Sequence, residues 1–236
     1  MSMMLRMTFL SVLLALLAFP MHGKAAGTWK SRFDEGLSAY TEGRTESARE
    51  IWVSALKEGR AEGGIHEREQ TLDWLATLEE SSGNLAHAEA YLRERVKVLS
   101  EATGPARLNY LTARAALARL LTRAGKLDQG QAILEENIGL YKEVGSGFVL
   151  AEPYLDLARH YEARGMFEAS ASQYRRALSA LGDEVSSMRV QALQEYAEVL
   201  TQLDRADEAA GLRAQAAHVA EAVKQEVERN RERFLR

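Results

Sequence analysis

The sequence predicts an all-α chain: a right-handed solenoid of helical hairpins that ends in one long helix. Three observations carry that expectation. First, one spacing pattern recurs five times, headed by Gly43, Gly83, Gly125, Gly165 and Asp204, with steps of 40, 42, 40 and 39 residues. A fixed period in this range signals stacked supersecondary units that bury a continuous core only together. Second, strict period-2 alternation is absent, and Val and Ile are sparse between long Ala/Leu/Glu/Arg runs, which argues against strands. Third, the stretch from Asp207 to Phe234 has no helix breaker except Gly211.

The first element lies outside the repeats. "MSMMLR" carries Arg6, and an apolar run follows from Met7 to Met21, broken by Pro20. Gly23 and Ala25 then supply small residues three and one places before a cut after Ala25. This is the layout of a secretory signal peptide over residues 1–25. The run is short for a spanning helix, which needs about 20 apolar residues. Cleavage is therefore expected, with an uncleaved inner-membrane anchor as the alternative. It would remove Arg6 and Lys24 and take the formal charge from -4 to -6. An acidic chain argues against a general nucleic-acid binder, which needs a basic face. The chain has no cysteine, which excludes disulfides, thiolate metal sites and a lipid-modified N-terminal Cys.

Residues 28–217 form the expected repeat domain of about five helix pairs. Each copy reads as helix, tight turn, helix. The heading glycine ends the first helix, where the backbone must turn left-handed at little cost. Seven residues before it sits a small residue: Gly36, Ala76, Ala118, Ala158 or Ala197. Five, nine and twelve residues after it come a small, a large and usually a small residue, as in Gly165, Ser170, Tyr174 and Ala177. The large ones (Trp52, Leu92, Leu134 and Tyr174) fill the gap the small ones leave. Tyr174 is thus expected in the core and Gln173 to face elsewhere. Arg95 and Asn137 depart from the pattern where a small residue is usual. Polar stretches at 59–64, 101–109, 143–153 and 181–187 read as turns between units. Residues 218–236 form a charged helical extension, solvated beyond Lys224.

These residues resemble a tetratricopeptide repeat. In "YLDLARHYEARGMFEASASQYRRAL", Tyr154, Leu157, Ala158, Tyr161, Gly165, Ser170, Tyr174 and Ala177 sit on the motif positions. The period near 40 resembles the long repeats of the kinesin-light-chain type. "FDEGLSAYTEGRTESAREIWVSALKEG" is similar to the first hairpin of Sel1-like repeat proteins. The resemblance implies an inner face built by the first helix of each pair, where such proteins hold peptides or extended segments. Carried onto this sequence, that face includes Phe33, Tyr40, Arg119, Arg123, Arg159 and Glu162. The three arginines would form a basic patch suited to a carboxylate or acidic segment, unless each pairs with a neighbouring Glu.

No phosphate-cradling GxxxxGK[ST], GxSxG or HExxH pattern occurs. His66, His87, His160 and His218 are scattered over different units and read as surface or partly packed residues rather than metal ligands. The adjacent pairs Glu79/Glu80 and Glu135/Glu136 point different ways on a helix and read as solvated faces. The expectation is an exported, periplasmic or secreted scaffold that binds a protein or peptide. It has no catalysis, cofactor, metal, nucleic acid or small-molecule substrate. A membrane-tethered structural component and an enzyme subunit are the rivals.

Overall fold

The computed structural model describes residues 25–62, 64–100, 106–145 and 147–234. The expected signal peptide, with its apolar run, lies outside the described residues apart from Ala25 itself. Ten α-helices and no strand occur among the described residues. They are α1 (Ala25–Thr41), α2 (Thr45–Glu62), α3 (Ile65–Ser81), α4 (Leu85–Leu99) and α5 (Ala106–Arg123). Then come α6 (Leu127–Val144), α7 (Ala151–Ala163), α8 (Phe167–Leu181), α9 (Ser187–Gln202) and α10 (Ala206–Phe234). Consecutive helices pair as hairpins, and each hairpin packs on the next, so the chain is a helical-hairpin solenoid.

The five tight turns share one geometry. Gly43, Gly83, Gly125 and Gly165 have φ between 70° and 79°. After each, the next residue's N–H reaches five residues back to the turn before: Arg44 to Ala39, Asn84 to Glu79, Lys126 to Leu121 and Met166 to Tyr161, all at 2.8–2.9 Å. This bond satisfies a carbonyl that the helix end would leave unpaired. Asp204 makes the same turn at φ 57°, with Arg205 N–H on Leu200 O at 2.9 Å. A short polar side chain is among the few that tolerate this region.

The hairpins close as the spacing predicts. Trp52, Leu92, Leu134 and Tyr174 are all buried against the small residues of the preceding helix. Gly36 shows how tight the fit is: a Cβ there would lie 2.4 Å from Trp52 Nε1. The two departures are resolved by polar partners on the preceding helix. Arg95 donates to Glu69 and Asp73 of α3, and Asn137 Nδ2 donates to Leu111 O of α5 at 2.9 Å. Buried polar groups are affordable only when satisfied in this way.

Three local expectations change. The stretch 59–64 is not all turn, because α2 continues to Glu62; Gly59 is buried where Arg68 of α3 presses close, 3.3 Å from a Cβ built on it. Gln173 does not face away from the core: it is 9% exposed, because α8 is covered on more than one side. Glu79 is not a solvated carboxylate. Its side chain is 2% exposed and accepts from Arg49 Nε of α2 at 2.6 Å and Asn84 Nδ2 at 2.7 Å. Burial opposes its ionisation, but these donors outweigh it and hold its pKa below the usual range.

At the C-terminal end, α10 packs on α9 through Ala209, Leu212 and Ala216. From Lys224 to Arg233 every side chain is exposed.

Candidate functional site

The first helices α3, α5, α7 and α9 are tied along one layer by ion pairs between units. Arg123 of α5 pairs with Glu80 of α3. Arg119 Nη1 of α5 donates to Asp156 Oδ2 of α7 at 2.8 Å. Arg159 Nε of α7 donates to Glu195 Oε2 of α9 at 2.9 Å. The basic patch is therefore compensated one for one by carboxylates of adjacent units. These three hydrogen-bonded pairs cross unit boundaries; along α7 itself Arg159 Nη1 also stands 3.7 Å from Asp156 Oδ1.

The three arginines do converge. With Thr122, Leu134, Asp156 and His160 they line a pocket of about 190 Å³ between α5, α6 and α7. Asp156 and His160 are buried at its wall, four residues apart on one face of α7. Burial pushes the Asp156 carboxyl above its ordinary value, against the pull of Arg119. Burial, helped by the nearby charge of Arg164, pushes His160 below its ordinary value, so a neutral imidazole is favoured. His160 Nδ1 lies 2.7 Å from Thr122 Oγ1, which also stands 2.9 Å from Ala118 O. The direction of the Nδ1–Oγ1 hydrogen bond follows the imidazole tautomer.

The other inner-face residues sit differently. Phe33 is a correction: it is 8% exposed and stacked on Trp29 at 5.1 Å, so it belongs to the core of the first unit. Tyr40 is half-buried and packs on Trp52 and Trp74, at 5.8 and 5.7 Å between ring centroids. The first unit has no earlier hairpin among the described residues to cover its indoles, and these rings close that end of the core. Glu162 lies one turn beyond Arg159, half-buried, with its Oε2 3.3 Å from the Tyr174 hydroxyl. Asp156, Thr122 and buried His160 were not singled out from the sequence as a set. Asp156 and His160 share an i, i+4 face, a signal available in the sequence. Thr122 is 38 residues from His160, close to one repeat period, which only the fold makes adjacent.

The arrangement matches repeat proteins of known structure. A candidate kinesin light chain of Podosopora anserina with nearly identical TPR-like repeats superposes with a TM-score of 0.69. The match covers 86% of this chain and 98% of that one at 16% identity. The fold is a tetratricopeptide-like solenoid. BtubC (BKLC) of P. vanneervenii gives a TM-score of 0.69 at 14% identity, over 85% of this chain and 83% of that one. The apo form of RapI gives 0.73 at 11% identity, over 82% of this chain but 54% of the longer RapI chain. No family model and no curated protein matches the sequence. The tetratricopeptide-like layer of first helices is thus the surface on which the arginine pairs and the pocket lie.

No group of three or more His, Asp or Glu side chains able to hold a metal occurs among the described residues. No described helix is long and apolar enough to cross a membrane.

His160 gives the fold a testable pH dependence. Its folded value is lowered, so its contribution to stability is complete above the ordinary histidine value near 6.5. That contribution is lost as pH falls from there toward the lowered folded value. Asp156 acts with the opposite sign: its raised folded value makes ionisation cost stability as pH rises above the ordinary 3.8. Between about pH 7 and pH 5 the melting temperature is expected to fall more in the wild type than in His160→Phe. Parallel pH slopes by thermal melts followed by circular dichroism would remove His160 as the responsible group.

Proposed function

We propose that this chain is an exported, non-catalytic scaffold that holds an extended protein segment along the layer formed by its first helices. The observation that carries the proposal is the continuous layer α3–α5–α7–α9, cross-tied by Arg123–Glu80, Arg119–Asp156 and Arg159–Glu195. Ion pairs between units hold the stacking angle, so the surface is pre-organised for a long ligand. The solved relatives in this fold include a candidate kinesin light chain and RapI, which supports an interaction role by analogy of fold. Because each arginine already has a carboxylate, binding is expected to depend less on salt than an open basic patch would.

Export is proposed from the leader pattern of residues 1–25. Every described core side chain lies beyond Ala25, beginning at Trp29, so a cut there leaves the described core whole. N-terminal sequencing of the chain recovered from its own cells tests this part. A start at Ala26 or Gly27 supports export; a retained Met1 in the membrane fraction supports tethering instead. The interaction part is tested by cross-linking in those cells and purifying a C-terminally tagged full chain. A protein recovered in stoichiometric amount is expected. Recovery of the chain alone, under conditions that preserve its helicity, would contradict the scaffold.

A further inference from the structure

We propose that the cavity at the α2–α3 link binds a phosphate monoester, the doubly charged phosphate group of a small organic molecule. Its lining comes from the end of α2, the first turn of α3 and the last two turns of α4. The inference goes beyond the scaffold reading and does not rest on it, because none of the arginines that tie the first-helix layer lines this cavity.

The cavity measures about 670 Å³, and its wall is part polar and part carbon. Two of its arginines are held in place by the fold. The stem of Arg68 crosses α2 at Gly59, where a Cβ would lie 3.3 Å from Arg68 Cγ. Arg68 Nε donates to Gly64 O at 3.1 Å, and among the described residues no acceptor meets its two terminal nitrogens. Arg60 grips Glu94 of α4 through Nε and Nη2, at 3.0 and 2.6 Å. The side chains of Arg60 and Arg93 both line the cavity and are still half exposed. Charged groups are therefore open to a ligand at this wall, on stems that the packing has already ordered.

Charge selects the ligand. Arg60, Arg68, Arg93 and Lys97 put four cations on the lining against one carboxylate, Glu94. Arg93 also pairs with Glu89 behind it on α4 at 2.8 Å, but Glu89 serves Lys126 as well, at 2.7 Å. Glu67, near the start of α3, lies back over Gly64 and is not part of the lining. Even with Glu89 counted in full, two of the four cations are unmatched among the described side chains, on a chain of formal charge -4. Like charges gathered in one cleft repel, and a dianion relieves both at once. A phosphate monoester carries about -1.5 to -2 charge at pH 7 and three acceptor oxygens. A carboxylate brings one charge and two oxygens. The Arg68 fork matches the spacing of phosphate oxygens, and the Lys97 ammonium can follow them on its flexible stem. Half-exposed Ile65 and Val98 give the organic part an apolar wall.

The test uses the chain from Ala26 onward, which keeps the whole described core, at about 0.15 M salt, where loose surface attraction is screened. Phenyl phosphate, inorganic phosphate, benzoate and phosphatidylglycerol vesicles are added in turn. The Nε–H signals of Arg60 and Arg68 are followed by NMR, assigned with Arg60→Lys and Arg68→Lys. Phenyl phosphate should shift both signals saturably at millimolar concentration, and benzoate should bind at least about tenfold more weakly. The double variant Arg68→Gln/Lys97→Gln keeps apolar stem and removes two charges. It should weaken phenyl phosphate by about tenfold or more with helicity unchanged. If that variant fails to fold, the ligand panel on the wild type still decides. Equal affinity for benzoate would show an unselective cationic surface and overturn the proposal. Equal affinity for inorganic phosphate would remove the organic part and do the same. So would unchanged affinity in the double variant, a drift that never saturates, or binding to the vesicles with no response to phenyl phosphate, which would assign the cations to a lipid surface.

Discussion

Tyr174→Ala should lower the free energy of unfolding by about 3–5 kcal/mol, the cost of removing a large aromatic from a closed core. Tyr174 is 0% exposed, stacked on Tyr196 with centroids 6.0 Å apart, and surrounded by Ala158, Ala177 and Ala197. Its hydroxyl donates to Glu195 Oε2 at 3.1 Å, the same carboxylate that accepts from Arg159. Burial and the flanking carboxylates Glu195 and Glu162 push its phenol far up, so it stays a donor. Truncation therefore opens a cavity and loosens the tie between α7 and α9 together. Tyr174→Phe keeps the volume and should cost only about 1.5–3 kcal/mol, the value of a lost hydrogen bond to a charged acceptor. Arg175→Ala, at an exposed neighbour, should stay within about 0.5 kcal/mol. Denaturant midpoints compare the three. Equal midpoints for Tyr174→Ala and Arg175→Ala would mean that the helix register is wrong.

The second large effect is at the other end. Trp52→Ala should also cost about 3–5 kcal/mol. Trp52 is fully buried, its Nε1 donates to Phe33 O at 3.2 Å, and Phe33, Tyr40 and Trp74 pack around it. Gly36→Ala alone should cost about 1–3 kcal/mol, because its Cβ would meet the indole at 2.4 Å and a caged ring has nowhere to go. In the Trp52→Ala background the same change has room, and alanine favours the helix by up to about 1 kcal/mol over glycine. The double variant should therefore be no less stable than Trp52→Ala. Strict additivity of the two single effects would contradict the close contact.

The turns were the most legible feature, because a left-handed backbone is cheap only for glycine and a few polar residues. Four glycines in step fix the register, and Asp204 is then placed by period alone. The large residue nine places on was legible for the same reason: its spacing puts it over the small residue of the preceding helix. Phe33 was misplaced because the repeat motif describes interior units. In the first unit the aromatic rings turn inward to cover Trp52 and Trp74. Gln173 was misjudged because helix periodicity separates two faces, whereas α8 lies among several helices and buries more than one. The arginine partners were invisible to a search along single helices: they lie 43, 37 and 36 residues away, about one repeat period. A search for opposite charge one period apart would have pointed to them. That Asp156 Oδ1 and His160 Nε2 are buried without a hydrogen-bond partner in the protein depends on which atoms their neighbours occupy, and no spacing rule carries that information.

The central claim is that an extended protein segment lies along the first-helix layer. Site-specific photo-cross-linking tests it most directly. A photoreactive side chain is placed at Thr77, Arg123 or Gln194, exposed on α3, α5 and α9. Control positions are Val53 on α2 and Glu228 on α10, which are equally open to solvent. One partner protein cross-linked from all three layer positions, and from neither control, is the predicted result. Adducts formed only from Val53 or Glu228 would place the binding surface on the second helices or the C-terminal helix and contradict the account.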